Sequence, residues 1–214
     1  MVAMRPRIAI LGGSFNPPHL GHRKICRHLL ARGFDEVWVV PCYRHPFGKR
    51  LAAFKHRFEM CRQMFAGLRA RVFDIERRIG GLSRTVHTLE ALRREHPAIR
   101  MAFVMGSDAS RDTDKWLDFE RIRKLASIVV IPRPGGATRG PFLSSLSSTG
   151  VRRKLAAGLN VDRDTGQRVA RYVRDHGLYA ASSTRPRLHP AAHQTGCRDV
   201  TGLRRESPRR LARR

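Results

Sequence analysis

The sequence predicts an α/β fold: a Rossmann-like doubly wound parallel sheet of about five strands in the order 3-2-1-4-5, with helices on both faces and a C-terminal helical segment. Three observations carry this. Five short apolar runs alternate with amphipathic stretches. The links between them are short, as right-handed crossovers require. The two post-strand loops that carry the densest candidate chemistry, GGSFNPPH and GSD, follow the first and fourth runs. In a sheet of that order these strands flank the point where the winding reverses, and ligands bind beyond the strand ends there.

The elements follow in chain order. Arg7 to Leu11, RIAIL, has the unbroken apolar character of a buried parallel strand. Gly12-Gly13 and Ser14-Phe15-Asn16-Pro17-Pro18 make the turn. His19 and His22, with Leu20-Gly21 between them, open a helix that runs from Leu20 to Ala31, with Ile25 and Leu29 on one side. Gly33 lies just past its end, where glycine is favoured. Glu36 to Pro41 is the second strand, and the basic loop 42–50 carries Lys49. Phe54, Phe58, Cys61, Phe65 and Leu68 recur at steps of four and three, which predicts a helix with that stripe in the core. Arg71 to Glu76 reads as the third strand, with Asp74 and Glu76 near its end, either serving a site or pairing with arginines. After the Gly80-Gly81 turn, Ser83 is placed to cap a helix that turns Val86, Leu89 and Leu92 inward and stops before Pro97.

Ile99 to Met105 is the fourth strand and ends in Gly106-Ser107-Asp108. Trp116 to Leu125 reads as helix and Ser127 to Pro132 as the fifth strand. A loop rich in Gly, Pro and Ser spans residues 133–145. Ser147-Ser148-Thr149 then precede a helix that carries Arg152 one turn in. Hydroxyls there are ordinary caps, or a second anion site at a helix start. Asp164 to Tyr179 reads as the last helix. Residues 1–180 are thus expected to form one domain. Residues 181–214, with nine arginines and two acids, read as a basic, disordered tail.

Composition narrows the function. A chain of 214 residues is long enough for a substantial core. Its net charge of +26 suggests a polyanion as partner, yet 37 of the 43 basic residues are arginine and they spread along the whole chain. That evenness fits a GC-rich coding sequence, so nucleic-acid binding is expected only incidentally, through the tail. Cys26, Cys42, Cys61 and Cys197 form no C-x-x-C pair and no disulfide framework. The first three fall in predicted elements or their loops and are expected to be reduced. No leader-like segment opens the chain and no apolar run approaches 18 residues, which predicts a cytoplasmic protein with no membrane span.

The chemistry concentrates in the first loop. A succession of strand, glycine turn and helix start is how α/β folds build phosphate sites, while a glycine turn after a strand and two histidines three apart also occur without one. Glycines admit an anion close to the backbone, and the unpaired N–H groups and dipole of the helix start attract it. Histidines three apart share one helix face. The loop is not a P-loop, because no Gly-Lys-Ser/Thr follows, and it lacks the third glycine and downstream acid of a dinucleotide fingerprint. An H-x-x-H pair without a third ligand is an incomplete zinc site.

GGSFNPPHLGH at residues 12–22 resembles the signature of the nucleotidyltransferase superfamily with the H-x-G-H motif, and within it the bacterial nicotinate-nucleotide adenylyltransferases. Further motifs follow in the family's order: HPFGK at 45–49, Ser83 with Thr85, GSD at 106–108 followed by Trp116, Arg133, SSTGVR at 147–152 and HGLY at 176–179. The resemblance implies transfer of AMP from ATP to nicotinate mononucleotide, in NAD biosynthesis, with Mg²⁺ carried by ATP and no protein metal site. It implies that His19, His22, Lys49 and Arg152 are catalytic. ATP would be held by Gly12, Gly13, Ser14, Phe15, His19, His22, Gly106, Asp108, Arg133, Ser147, Ser148, Thr149 and Arg152. The acceptor would meet Asn16, Lys49, Ser83, Thr85 and Trp116. Arg84, Val86-His87, Leu117 and Gly150 depart from the family's pattern, mostly near the acceptor base. Nicotinamide mononucleotide or another phosphate acceptor is therefore the alternative substrate. A basic nucleic-acid-binding protein on the same scaffold is the alternative of a different class.

Overall fold

The computed structural model describes residues 5–132 and 144–180. Arg133, Cys197, most of the loop 133–145 and the tail 181–214 lie outside the described residues. Five parallel strands pair in the order β3-β2-β1-β4-β5: β1 (Arg7–Gly13), β2 (Glu36–Pro41), β3 (Ala70–Val72), β4 (Arg100–Gly106) and β5 (Ser127–Ile131). The expected order and switch point are therefore present. Leu11 of β1 sits opposite Val39 of β2 and Val104 of β4, so the central strand has a partner on each side.

Side chains alternate across the sheet, and each face has its own core. Ala9, Leu11, Val37, Val39 and Val104 pack with residues of α1 (Leu20–Ala31), α2 (Phe54–Phe65) and α8 (Gln167–Asp175). Ile8, Ile10, Trp38, Val40 and Phe103 pack on the other face with residues of α3 (Ile75–Ile79), α4 (Thr85–Glu95) and α5 (Phe119–Leu125). The shorter helices α6 (Ser148–Ala156) and α7 (Asp162–Thr165) precede α8. Val151, Val161 and Ala170 form a small core of their own beneath them. Cys26, Cys42 and Cys61 are buried free thiols.

Five elements differ from the sequence reading, each for a local reason. The third strand stops at Val72 and the chain turns into α3. As an edge strand, β3 has only β2 to pair with, over three residues. Asp74 meanwhile binds Arg77 and Arg78, three and four residues on, which suits a helix. In α2 the inward face is Arg57, Met60, Cys61, Met64 and Phe65, while Phe54 and Phe58 are only half-buried. A polar letter at position 57 hid the true face. Ser83 does not cap α4: Arg84 is the N-cap, and the Ser83 hydroxyl accepts from the Tyr43 and Arg44 amides at 2.9 and 3.2 Å. Trp116 is extended, preceded by two 3₁₀ turns, and α5 starts only after Asp118, whose carboxylate caps it by accepting from Arg121 N at 3.0 Å. The last predicted helix is broken into α7 and α8 at Gly166, whose φ of +74° cannot continue a right-handed helix.

Candidate active site

A cavity of about 890 Å³ opens at the carboxyl ends of β1 and β4, within the size range of ligand pockets. Every residue that the family resemblance assigns to catalysis, ATP or the acceptor, and that falls among the described ones, lies on its wall. Gly12, Gly13, Ser14, Phe15 and Asn16 come from the end of β1 and its loop, with His19 and His22 from the start of α1. Gly106 ends β4 and Asp108 follows it, and Trp116 follows the 3₁₀ turns. Ser147, Ser148, Thr149 and Arg152 line the wall from the start of α6, Lys49 from the loop after β2, and Ser83 and Thr85 from the start of α4.

The histidine pair is pre-arranged. The His19 backbone N–H donates to His22 Nδ1 at 3.1 Å. A nitrogen that accepts carries no proton, so the neutral His22 ring bears its hydrogen on Nε2, as a donor. The two rings lie 3.8 Å apart between centroids, and His22 also packs at 4.9 Å against Phe15. Gly21 makes this packing possible. A Cβ there would stand 2.8 Å from His19 Nδ1 and 2.9 Å from Ser144 Oγ. In the sequence Gly21 read only as a spacer between the histidines.

The second helix start is docked onto the first loop. Ser147 caps α6 by accepting from Gly150 N at 3.1 Å, so the capping reading of that hydroxyl holds. Ser148 Oγ donates to the Pro17 carbonyl, and Arg152 Nη1 to the Asn16 carbonyl, both at 2.8 Å. Arg152 Nη2 also donates to Thr149 Oγ1 at 3.2 Å. Behind them, Lys154 Nζ binds both oxygens of the buried Asp164 at 3.0 and 2.7 Å, fixing α6 to α7. Two helix N-termini of at least two turns thus meet at one cavity, a strong setting for a polyphosphate.

Asn16 is buried, and its side chain is engaged by the protein. Its Oδ1 accepts from Ala52 N at 3.0 Å and from Tyr179 Oη at 2.8 Å, while Nδ2 donates to the Arg50 carbonyl at 3.4 Å. Burial pushes the Tyr179 hydroxyl well above its ordinary pKa.

The wall near α4 holds a polar cluster. Glu76 accepts from Tyr43 N at 3.0 Å and from Thr88 Oγ1 at 3.1 Å. Burial raises its pKa, and bonds from Ser83, Tyr43 and Thr88 only partly oppose this. The same burial raises Cys42. His45, in the Lys49 loop, is pushed down by burial and by its Lys49 and Arg57 neighbours, which favours the neutral ring. Of the two acids in doubt, Asp74 pairs with arginines outside and Glu76 lines the cavity. Thr88 was missed by sequence reasoning; its one signal was its place one helical turn after Arg84, on the face of α4 that Thr85 begins. Trp116 packs edge-on against Phe103 at 5.5 Å and lines the cavity beside α4. Among the described residues no group of three or more His, Cys, Asp or Glu is placed to hold a metal ion, and no helix is long and apolar enough to cross a membrane.

This is the layout of a nucleotidyltransferase, and a cytidylyltransferase-like family model matches residues 10–154. Two relatives narrow it. A Myxococcus xanthus protein named "Probable nicotinate-nucleotide adenylyltransferase" is 41% identical over 85% of this chain and 100% of its own length. A protein of the same name from Anaeromyxobacter dehalogenans is 43% identical over 80% of this chain and 96% of its own. The chain belongs to the nicotinate-nucleotide adenylyltransferase family. The fold also matches Plasmodium falciparum nicotinic acid mononucleotide adenylyltransferase, solved with NaAD, at a TM-score of 0.65 and 20% identity, over 81% of this chain and 97% of that one.

Proposed function

We propose that the protein transfers AMP from ATP, taken as its Mg²⁺ complex, to nicotinate mononucleotide. An oxygen of the acceptor's phosphate attacks the α-phosphorus. The bond from that phosphorus to the α–β bridging oxygen breaks, pyrophosphate leaves, and nicotinate adenine dinucleotide forms. The observation that carries this reading is the convergence of the α1 and α6 starts with the α4–Trp116 wall around one cavity. One end suits a triphosphate and the other an aromatic anion.

The protein forms no covalent bond in this scheme. It aligns two anions and neutralises charge that grows in the transition state. His19 and His22 serve the α- and β-phosphate oxygens, with His22 Nε2 as donor. Ser148, Thr149 and Arg152 at the α6 start hold the β- and γ-phosphates. Lys49 holds the transferred phosphate or the acceptor's own, and Asp108 binds nucleotide ribose. Mg²⁺ would be brought in by the triphosphate and would neutralise part of its charge, with no carboxylate cage called for from the protein. Trp116 stacks on the pyridine ring. The α4 start, with Arg84 and Thr85 on the cavity wall, favours a ring carboxylate over an amide.

The test is pyrophosphate release with ATP and Mg²⁺, comparing nicotinate and nicotinamide mononucleotide at equal concentration. The expected preference for the nicotinate form is about a hundredfold or more, near 2.7 kcal/mol of differential transition-state binding. Equal rates would move the specificity away from α4. No turnover with either, in protein that still binds ATP, would move the acceptor to another phosphate. Binding to RNA or DNA that falls steeply with salt, without pyrophosphate release, would favour the nucleic-acid alternative.

A further inference from the structure

Arg57 heads the fully buried side chains of the described residues, at 1% exposure, and it does not line the cavity. Taking a guanidinium out of water is costly unless its donors are met. Its bonds go to three loop carbonyls: Nη1 to Ser14 at 2.9 Å, Nε to Ala52 at 2.8 Å, and Nη2 to Tyr43 at 3.2 Å. Those carbonyls belong to the loop after β1 and to the two ends of the segment between β2 and α2, which carries Lys49.

A trans peptide points its C=O and N–H in opposite directions. The Tyr43–Arg44 peptide illustrates this: its oxygen is on Arg57 and its N–H, from Arg44, is on Ser83 Oγ at 3.2 Å. The Ser14–Phe15 peptide is trans as well, so holding the Ser14 oxygen turns the Phe15 N–H away from the guanidinium. Phe15 is also left-handed, at φ +43°, a strained setting for a non-glycine residue that persists only where its neighbours enforce it. Its ring is buried edge-on to Phe65 at 6.2 Å, and the carbonyl before it is held by Arg57.

We propose that Arg57 is a positioning residue for nucleotidyl transfer. It fixes the Ser14–Phe15 peptide so that the Phe15 N–H faces the nucleotide phosphates, and with the same guanidinium it keeps the Lys49 segment in step with that loop. Asn16 ties the same two loops a second time, through Ala52 N, and Tyr179 Oη steadies it. The proposal rests on the adenylyl-transfer reading above. A lysine at 57, a single point charge on a flexible stem, cannot serve three divergent carbonyls.

The experiment compares Arg57→Lys and Tyr179→Phe with the unaltered protein. It measures thermal midpoint, ATP affinity by calorimetry, and kcat and KM for ATP and nicotinate mononucleotide, at a temperature well below every midpoint. Arg57→Lys is expected to lower kcat by about 10²-fold, as small misplacements of reacting groups do, with both KM values within about threefold. Tyr179→Phe is expected to lower kcat by about threefold, the loss of one hydrogen bond to the tie. A merely structural role would lower the midpoint and leave kcat intact. A folded Arg57→Lys with unaltered kcat overturns the proposal. If Arg57→Lys does not fold, Tyr179→Phe decides: reduced kcat at an unchanged midpoint upholds the tie, and unaltered kcat overturns it. Absence of turnover in the unaltered protein overturns the adenylyl-transfer reading and this proposal with it. Turnover there, undiminished in the variants, overturns this proposal alone.

Discussion

The two ends of the cavity are built differently. Within each helix start, the end formed by α1 and α6 draws on main-chain groups and on side chains close in sequence, and the two starts are joined by Ser148 and Arg152 on the Pro17 and Asn16 carbonyls. His19 and His22 are three apart, and Ser147 caps an amide three residues on. The end near α4 is assembled from distant positions: Tyr43 binds Glu76 and Ser83 across separations of 33 and 40 residues. A contiguous motif fixes a phosphate site almost by itself, because helix geometry does the aligning. A side-chain cluster holds only if several loops arrive together, so it is the part that sequence change retunes. Arg84 and Leu117, two of the departures from the family pattern, line this second end.

The largest effect should come from the first end. His22→Ala should lower kcat by about 10²–10³, the cost of one donor to transition-state charge, and equally for both pyridine acceptors. Steady-state pyrophosphate release checks this, and unchanged turnover in a folded variant would sink the assignment. Gly21→Ala should follow, with a loss of about tenfold or more, because the new Cβ drives the buried His19 ring from its place. A structure of that variant with an undisturbed His19 would remove the steric argument.

Changes at the other end should spare ATP. Trp116→Ala should raise the KM for nicotinate mononucleotide about tenfold, the scale of one stacking contact, while the KM for ATP holds. An equal rise for ATP would mean that the two ends are not separable. The smallest effect is in stability. Glu76 has a raised pKa in the folded state, so the folded protein keeps this proton to higher pH than the unfolded chain. Stability from this group is full below its unfolded pKa and is lost as pH rises through the folded one. Glu76→Gln should therefore gain stability relative to the unaltered protein between pH 4 and pH 7, as denaturant midpoints at the two pH values will show. A constant difference would place the Glu76 proton outside folding.

The first helix and second strand were legible to the residue, since Leu20–Ala31 and Glu36–Pro41 carry clear periodicity and clean ends. So were the strand order and the cavity's place at its switch point. That the first-loop residues share one wall was legible too, because they are neighbours in the chain. The rest depended on packing. Nothing local marks Arg57 as buried, because what makes burial tolerable is three carbonyls that only the fold gathers. Nor does anything local say that Ser83 will hold the Tyr43 and Arg44 amides instead of capping α4. Sequence alone determined the sheet, its winding and the helix start that follows the first glycine turn, which follow from short-range periodicity and backbone geometry. Tertiary structure decided which polar groups went inside and which loops they bind, because a buried donor or acceptor is stable only beside a partner that the chain brings from elsewhere.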